Sequence, residues 1–255
     1  MVVRSMAESA GPPDESGRAQ AVFAARDRDR DTRERYSFFQ RGYLHAIQER
    51  ERHLLALLAA HGFDDERLAR SDVLAVGCGA GGELLDLARW GGTPGRMFGV
   101  DLDGARTRRA KARNASFGIF RADGRRLPFP SSRFDLVTQF TLLTSVLDPH
   151  ARRAIAGEML RVARPGGSIV WYDFWPDNPN NAEVRGIRAA EIRSLFPGCR
   201  FDFQRITVAP PLARWLAPRA WLLADLVSRV RPLQTFHLVG IRRLPTPQEN
   251  SPQVV

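Results

Sequence analysis

Three glycines follow a short apolar stretch and could hold a nucleotide-like ligand against bare backbone. The segment reads VLAVGCGAGGELLDLARW over residues 73–90 and places Gly77, Gly79 and Gly81 between an apolar run and a helical pattern. Gly77 can adopt a positive φ that a side chain would resist. The backbone amides that open the following helix would favour an anionic or electron-rich group. The loop therefore predicts cofactor binding without deciding between cofactors.

Asp101 follows the next apolar segment and lies 19 residues after Gly82. At that distance a carboxylate at the end of a strand can accept hydrogen bonds from both hydroxyls of a ribose. The alternative is an acid that caps a helix or a turn. Because Gly77, Gly79 and Gly82 also satisfy the dinucleotide pattern G-x-G-x-x-G, these residues alone leave a nicotinamide cofactor open.

Residues near the ends of two later strands could act on an acceptor molecule. Asp173 and His237 are candidates for a general base, and Tyr172 and Tyr36 could orient the acceptor. Aromatic side chains on the same strand end would offer it flat surfaces; the candidates are Trp171 and Trp175. Ordinary packing is the alternative for each of these residues.

Alternating strand and helix patterns must position these side chains. Strands are predicted at residues 73–76, 97–100, 117–120, 134–140 and 168–174, with helices at 106–114 and 150–163 and a turn at 164–167. The last third predicts a helix at 188–196, a strand at 200–208, a long helix at 212–230 and a strand at 235–242. This alternation predicts a parallel sheet covered on both faces, with ligands at the carboxyl ends of its strands.

One α/β domain is expected at residues 35–243, with a tail at each end. Residues 1–34 are poor in large apolar side chains, which predicts a mobile tail, and residues 244–255 carry three prolines and predict another. Within the domain, residues 35–62 predict a helical lid, 70–175 a cofactor-binding core and 176–243 the acceptor side with a final strand-helix-strand unit.

Composition limits the partners and the compartment. The formal net charge is +10, but the arginines are scattered and often stand beside acids, so no nucleic-acid partner is expected; an acidic partner or substrate is the alternative. Cys78 and Cys199 have no metal-site or disulfide spacing, so no metal is expected. No apolar run approaches the ~18 residues of a membrane span, and a cytoplasmic location without membrane insertion is predicted.

The glycine loop is the first of five motifs that stand in order between residues 70 and 175. They read VLAVGCGAG, GVDLD, ADGRRLPFP, FDLVTQF and VARPGG. With these motifs the chain resembles the class I S-adenosylmethionine-dependent methyltransferases of the small-molecule type. The resemblance implies an α/β fold with a Rossmann-like, doubly wound, seven-stranded sheet, mostly parallel with an antiparallel last strand. It also implies S-adenosyl-L-methionine as cofactor and S-adenosyl-L-homocysteine as product.

The same resemblance implies which residues contact the cofactor. The glycine loop would approach the methionine part, Asp101 the ribose, Leu102 an adenine face and Asp123 the adenine amino group. The end of the fourth strand would lie near the sulfonium. The implied set is Gly77, Cys78, Gly79, Gly81, Asp101, Leu102, Asp123, Gly124, Gln139 and Phe140.

Ala75 stands where the family usually has Asp or Glu. That carboxylate helps to order the glycine loop and the ammonium end of the cofactor. The departure leaves three interpretations open: weaker cofactor binding, replacement by another acid such as Glu83, or a lost activity.

The segment after the fifth strand resembles small bacterial methyltransferases associated with polysaccharide or natural-product assembly. This likeness favours O-methylation of a hydroxyl on a sugar, glycoside or other small metabolite. The fourth strand is followed by Thr141-Leu142 and lacks the N/D-P-P-Y/F motif of base-methylating enzymes. An NAD(P)-type oxidoreductase and a non-catalytic binding protein are the alternatives. The acceptor and the oligomeric state, including a homo-oligomer, stay open.

Overall fold

The computed structural model describes residues 15–178 and 181–244, in which strands and helices alternate through the central part of the chain. The strands are β1 (Val73–Val76), β2 (Met97–Asp101), β3 (Gly118–Arg121), β4 (Phe134–Phe140), β5 (Ala163–Phe174), β6 (Cys199–Val208) and β7 (Gln234–Arg243). The helices are α1 (Glu15–Arg28), α2 (Arg30–Arg35), α3 (Arg41–Ala60), α4 (Asp65–Arg70), α5 (Gly82–Arg89), α6 (Gly104–Arg113), α7 (Pro149–Val162), α8 (Ala189–Leu195), α9 (Pro210–Leu216) and α10 (Trp221–Ser228).

The seven strands of the described residues form one sheet in the order β3-β2-β1-β4-β5-β7-β6. Strands β1 to β5 pair in parallel, whereas β7 is antiparallel to both of its neighbours. The predicted fold class, including the antiparallel last strand, is confirmed. The strand order reverses between β1 and β4, and a ligand crevice is expected at such a switch point.

Helices cover both faces of the sheet, and apolar side chains fill each interface. Leu84 and Leu87 of α5 share one core cluster with Leu54 and Leu57 of α3. On the other face, Met159 of α7 belongs to a second cluster, together with side chains of α8. Since both faces are buried, the strands carry near-continuous apolar runs, and the four residues of β1 are all buried.

Aspartates cap the helices that follow β2 and β4, and a bulge interrupts β5 near its start. Asp103 caps α6 by accepting hydrogen bonds from the backbone N–H groups of Ala105 and Arg106, and Asp148 caps α7 in the same way, with Pro149 at its first position. The predicted turn at residues 164–167 lies inside β5 as a bulge: Phe134 pairs with Ala163, and the regular register resumes at Ser168.

Two predicted elements are wrong. Residues 15–28 form α1 and residues 30–35 form α2 instead of a mobile tail; ion pairs with the domain, described below, hold α1 where apolar burial is scarce. Residues 1–14 and 245–255 of the predicted tails lie outside the described residues. The predicted long helix at 212–230 is two helices, because α9 ends before Pro218, which has no N–H to continue the helical bonding.

The predicted lid segment is only partly a cover. Tyr43, Ile47 and Arg50, in the first half of α3, line a cavity at the carboxyl edge of the sheet. Leu57, in the second half, packs in the core with side chains of β6 and β7. Among the described helices, not one has the length and apolar character to cross a membrane.

Candidate cofactor and acceptor site

A cavity of about 560 Å³ opens at the carboxyl edge of the sheet, beside the β1–β4 switch point. Its floor comes from the ends of β1, β2 and β4, and its cover comes from α1 and the start of α3. Among the predicted cofactor residues, those that line it are Gly77, Cys78, Gly79, Asp101, Leu102, Asp123, Gly124 and Phe140.

The glycine loop is shaped by contacts that a side chain would break. Gly77 has φ +73°, and a Cβ there would lie 2.9 Å from the Leu142 side chain. The N–H groups of Gly77 and Cys78 both donate to the Val100 carbonyl at 2.9 Å, which ties the loop to β2. A Cβ at Gly79 or Gly82 would meet no protein atom within 4 Å, so open room lies above this backbone.

Leu142 closes on Gly77 because the chain turns sharply after β4. Thr141 has φ +54°, a conformation that is rare for a β-branched residue and costs of order 1–3 kcal/mol. Its N–H donates to the Tyr172 carbonyl at 2.8 Å, which holds the turn. Strain of this kind beside a cavity is common at ligand sites.

Asp101 holds the loop and faces the cavity. Its Oδ2 accepts from the Gly79 N–H at 2.8 Å, and its Oδ1 accepts from the Asp103 N–H at 2.8 Å. Burial raises its pKa, while the two backbone hydrogen bonds partly offset that rise. Each carboxylate oxygen has further acceptor capacity, so Asp101 can still accept the two hydroxyls of a ribose.

Asp123 lines the same cavity, but unlike Asp101 it is paired with an arginine side chain. Burial pushes its pKa up, but the hydrogen bonds and charge of Arg125 outweigh burial and leave the pKa below its ordinary value. Arg125 donates to Asp123 Oδ2 at 2.6 Å, and the Ser16 hydroxyl donates to the same oxygen at 3.3 Å. The carboxylate therefore stays charged and available as an acceptor at the adenine end of the predicted site.

Glu83 stands where the missing acid of β1 would be expected. Ala75 pairs in register with Thr138 on β4, and the Thr138 hydroxyl interacts with the Glu83 carboxyl. Glu83 lines the cavity, and its Oε1 is buried without a hydrogen-bond partner. Burial raises the pKa of Glu83 to about 7, and the nearby charge of Arg50 lowers it only partly. The carboxyl group is thus placed to receive a cationic donor.

Arg50 and Asp86 form a charged pair inside the cavity. Their closest nitrogen and oxygen are 3.3 Å apart. The Arg50 guanidinium lies 5.2 Å from the Phe140 ring centre and 5.6 Å from that of Tyr172. Burial raises the pKa of Asp86, with Arg50 and Arg89 acting in the opposite direction. The pair brings a cation and an acid to the cavity beside the end of β4.

Helix α1 closes the cavity from above. Glu15 accepts from the Leu147 N–H at 2.8 Å, and Arg18 donates to the Ser145 carbonyl at 2.6 Å. At the other end of the helix, Asp27 pairs with Arg106 at 2.6 Å and with Arg109 at 2.9 Å. Between these anchors, α1 contributes side chains to the cavity wall: Ser16, Ala19, Gln20 and Phe23.

Aromatic side chains border the outer part of the cavity. Tyr36 and Phe38 lie edge-on to Tyr43, each with ring centres 5.6 Å apart. Tyr36 and Phe38 are 64% and 62% exposed, so they stand at an opening and are not core residues. The predicted acceptor residue Tyr36 therefore does border the cavity.

Two predicted cofactor residues do not line the cavity. Gly81, with φ +78°, is the N-cap of α5, and a Cβ there would lie 3.1 Å from that of Ala110. Gln139 is fully buried and accepts from the Leu142 N–H at 3.2 Å. Gly81 thus belongs to the start of α5, and Gln139 stabilises the turn after β4 without lining the cavity.

The predicted base and acceptor residues on β5 and β7 need correction, because none of them borders the cavity. Asp173 is fully buried and accepts from the Thr144 N–H and hydroxyl and from the Phe174 N–H. His237 pairs with Asp173 in the antiparallel register. Burial raises the pKa of Asp173 to about 6, and burial with the charge of Arg205 lowers that of His237 to about 4.

The three aromatic residues of that group are packing residues. The Tyr172 and Thr207 hydroxyls share a hydrogen bond of 3.1 Å, and burial raises the pKa of Tyr172. Trp171 has no exposed surface. Trp175 donates its indole N–H to the Gln234 carbonyl at 2.7 Å. Alternation along β5 explains the error, because a strand end near the ligand edge still directs its side chains into the two packed faces.

Several cavity residues were missed by the sequence analysis. Tyr43, Ile47 and Arg50 recur at i, i+4 and i+7 along α3, so one helical face carries them. Asp86 was also missed; it shares a face of α5, through an i, i+3 spacing, with Glu83, which the sequence analysis names as a possible replacement acid. These spacings could have predicted the cavity residues of α3 and α5. No sequence pattern predicts the contribution of α1, because its position depends on ion pairs with distant parts of the chain.

The cavity residues fit S-adenosylmethionine. The open room over Gly79 and Gly82 can accommodate the part of the cofactor that lies against the backbone. Asp101 can accept hydrogen bonds from the ribose hydroxyls, and the unpartnered Glu83 oxygen can pair with the cationic part. Burial raises the pKa of the Cys78 thiol, which leaves it as a neutral wall residue. Within the described residues, no group of three or more metal-binding side chains was found.

Comparison with known proteins agrees with this arrangement. Residues 73–167 match the family model described as a methyltransferase domain. A phthiotriol/phenolphthiotriol dimycocerosates methyltransferase of Mycobacterium tuberculosis is 35% identical over 130 residues, which are 50% of this chain and 47% of that protein. The chain thus spans about half the length of the curated relatives that it matches.

Solved structures share the fold. A Burkholderia thailandensis 1,6-didemethyltoxoflavin-N1-methyltransferase with bound S-adenosylhomocysteine has a TM-score of 0.61 at 18% identity, covering 94% of this chain and 93% of that one. A SAM-dependent methyltransferase of Methanosarcina mazei has a TM-score of 0.53 at 19% identity, covering 69% and 93%. At these identities the likeness shows the fold alone. The family match and the fold agree: residues 73–167 are similar to methyltransferase domains, and the described chain shares the fold of solved S-adenosylmethionine-dependent methyltransferases.

Proposed function

We propose that this chain transfers a methyl group from S-adenosylmethionine to a hydroxyl of a small, largely apolar acceptor. The observation that carries the proposal is one cavity that joins the glycine loop and Asp101 to the aromatic opening at Tyr36 and Phe38. An apolar or flat acceptor is favoured over a free sugar, because rings border that opening. The acceptors named for the relatives differ, being a phthiotriol in one and a didemethyltoxoflavin in another.

Cofactor binding would divide the cavity into two ends. Asp101 would accept the ribose hydroxyls and Asp123 the adenine amino group, while Glu83 would accept the ammonium of the methionine part. Phe140 and Arg50 line the same cavity, with the guanidinium 5.2 Å from the ring centre. When bound, S-adenosylmethionine supplies an electrophilic methyl group on a sulfonium.

A hydroxyl acceptor needs a base, and Asp86 is our candidate. It lines the cavity, whereas Asp173 and His237 do not. The Asp86 carboxylate would take the hydroxyl proton when the acceptor oxygen is methylated, which would leave Asp86 as the neutral acid. Burial raises the pKa of that carboxyl group, and Arg50, 3.3 Å away, favours its charged form and offsets part of the rise. The remaining work of the protein is to position the two reactants and exclude water.

Calorimetry with S-adenosylhomocysteine, followed by transfer of a labelled methyl group into an extract of small molecules, tests the proposal. Binding together with a labelled product that hydroiodic acid cleaves as an O-methyl group is the expected result. Binding without any labelled product would favour the non-catalytic alternative, and binding of NAD instead would overturn the cofactor assignment.

The base is tested separately. Asp86→Asn should lower the turnover by roughly 10²- to 10⁴-fold while leaving the affinity for S-adenosylhomocysteine within about twofold. Glu51→Gln, which removes a nearby carboxylate that does not line the cavity, is the matched control. Unchanged turnover in Asp86→Asn would remove this residue as the base.

A further inference from the structure

Helices α9 and α10 expose large apolar side chains in the described part of the chain. Leu222 is 80% exposed, and Trp215 and Leu226 are each 58% exposed. With Leu223 and Val230 they form what we call the C-terminal apolar surface. Single exposed leucines are ordinary, but a contiguous patch on consecutive helices marks an interaction site.

Arginines border this surface, and acids are nearly absent from it. Residues 209–233 contain Arg214, Arg219, Arg229 and Arg231 but only one acid, Asp225. Asp225 is already paired with Arg229 at 2.8 Å and with Arg52 at 3.0 Å. Neither Arg214 nor Arg231, both exposed, forms an ion pair within the described residues. An apolar surface with a basic border is complementary to a lipid bilayer, which has an apolar interior and, when its lipids are acidic, anionic head groups.

A groove next to α10 extends the basic border. It encloses about 1060 Å³ and is lined by arginines of four parts of the chain: Arg52, Arg193, Arg205, Arg229 and Arg231. Its walls also carry Glu49 and Asp225, which leaves an excess of positive charge. Phosphate groups of lipids at the edge of the apolar surface would meet guanidinium groups there.

The C-terminal apolar surface adjoins the opening of the cavity. Arg41 donates to the Pro218 carbonyl at 3.2 Å, and its guanidinium lies 5.8 Å from the Trp221 ring centre. Phe39, two residues before Arg41, is 98% exposed, and Phe38 lines the cavity. Residues 38–41 therefore link the cavity, through Phe38, to the α9–α10 segment, through Arg41.

We propose that the C-terminal apolar surface and Phe39 rest on the face of an anionic lipid bilayer. The apolar side chains would enter the head-group boundary while the bordering arginines contact lipid phosphates. A second copy of the chain is the less favoured occupant, because a two-fold contact through this surface would bring the arginine borders together. The net charge of +10 adds to that repulsion and to the attraction of an anionic membrane.

Co-sedimentation with vesicles, without cofactor or acceptor, tests the surface independently of methyl transfer. The probes are vesicles of phosphatidylcholine alone and of phosphatidylcholine with a third of phosphatidylglycerol. We expect binding to the anionic vesicles that weakens as salt is raised. Arg214→Gln with Arg231→Gln should lower it by roughly fivefold for each arginine, and Leu222→Gln with Leu226→Gln should lower it by at least about tenfold.

Matched controls separate surface chemistry from folding and total charge. Arg70→Gln with Arg153→Gln removes the same charge elsewhere, and Leu55→Gln replaces another exposed leucine; both should bind vesicles like the unchanged chain. Circular dichroism and thermal melting confirm that the surface variants fold. Equal sedimentation with and without vesicles would overturn the proposal. So would light scattering that shows a dimer which the Leu222→Gln, Leu226→Gln variant abolishes, because the surface would then be an interface between copies.

Discussion

At the scale of single residues, we propose that Glu83 compensates for Ala75 in the glycine motif. Ala75 leaves β1 without its usual acid, and Glu83 places a carboxyl group beside Thr138, the register partner of Ala75. The acid has moved from the strand to the first turn of the next helix. This position also receives the favourable field of a helix N-terminus. The interpretation that Glu83 replaces the missing acid is therefore the one that the geometry favours.

Glu83→Gln should weaken S-adenosylhomocysteine by at least about tenfold, because an amide cannot pair with the ammonium charge inside a partly buried site. The affinity for 5′-methylthioadenosine, which lacks the amino acid part, should change by less than about twofold. Calorimetry measures both, with Glu66→Gln on exposed α4 as the control. Adding Ala75→Asp to Glu83→Gln should recover part of the loss. Equal weakening of both ligands would contradict the assigned role.

The raised pKa of Glu83 gives the affinity a pH dependence. In the free protein this pKa is about 7, and a bound ammonium would lower it. Below about pH 7, binding must therefore release a proton, and the affinity for S-adenosylhomocysteine should fall as the pH drops, by up to about tenfold per unit. Above about pH 8 it should level off. Titrations in buffers of different ionisation enthalpy measure the proton release, and Glu83→Gln should show a flat profile; a flat profile in the unchanged chain would refute the link.

At the scale of elements, charged contacts position segments that apolar burial leaves weakly held. Helix α1 has no fully buried residue, yet it crosses the cavity because its two ends are tied to the segment after β4 and to α6. The mobile-tail prediction failed there since it counted apolar side chains alone. Three elements on the opposite side, α7, α8 and the segment after β4, are likewise joined by one fully buried arginine, Arg152.

Asp27→Asn should loosen the cover without unfolding the domain. It removes the charge that pairs with Arg106 and Arg109, and such partly exposed pairs contribute about 0.2–1 kcal/mol each. Limited proteolysis within residues 15–28 should become several-fold faster, and S-adenosylhomocysteine should dissociate faster. Asp31→Asn on α2 is the control. Unchanged proteolysis would show that other contacts hold α1.

Arg152→Met should lower the free energy of unfolding by about 2–4 kcal/mol. The Arg152 guanidinium donates to the carbonyls of Leu143 and Val146 and pairs with Glu191 at 2.9 Å. Methionine would remove the side-chain donor of the Val146 carbonyl and leave the Leu143 carbonyl with only the Val146 N–H. Urea denaturation measures the loss, and Arg153→Met, on the exposed side of the same helix, should change stability by less than about 0.5 kcal/mol. Similar losses in both variants would contradict the role given to Arg152.

At the scale of the whole molecule, the fold was predictable because strand and helix patterns agree with one another. The limits of β1 and β4 match their predictions residue by residue. For β1 the reason is plain, since a parallel strand buried on both faces is a continuous apolar run between turn signals. The cofactor half of the site followed from Asp101 and the glycine loop, which lie on strand ends. The acceptor half did not follow, because α1, α3 and α5 supply it through tertiary contacts that sequence spacing alone does not reveal. Asp173 and His237 were chosen from strand ends alone, and neither lines the cavity.

Cofactor binding should stabilise the whole domain, because S-adenosylhomocysteine would bind only the folded chain, in which several strand ends and helices form the cavity. At a concentration of S-adenosylhomocysteine one hundred times its dissociation constant, the gain is about 2.7 kcal/mol, which corresponds to roughly 5–10 °C in the melting temperature of a domain of this size. Differential scanning fluorimetry measures it. NAD at the same concentration is the control and should give no shift; a larger shift with NAD would contradict the family's cofactor.

The contact of Gly42 with the backbone of Arg214 has a consequence for acceptor choice. A Cβ at Gly42 would lie 2.5 Å from the Arg214 Cα, so the start of α3 and helix α9 touch without an intervening side chain. This contact fixes the distance between the C-terminal apolar surface and the cavity opening. If, as we propose, this surface rests on a bilayer and the acceptor enters the cavity from it, the acceptor would be selected by depth: the hydroxyl to be methylated would be the one at a set distance from the head groups, whatever the rest of the molecule carries.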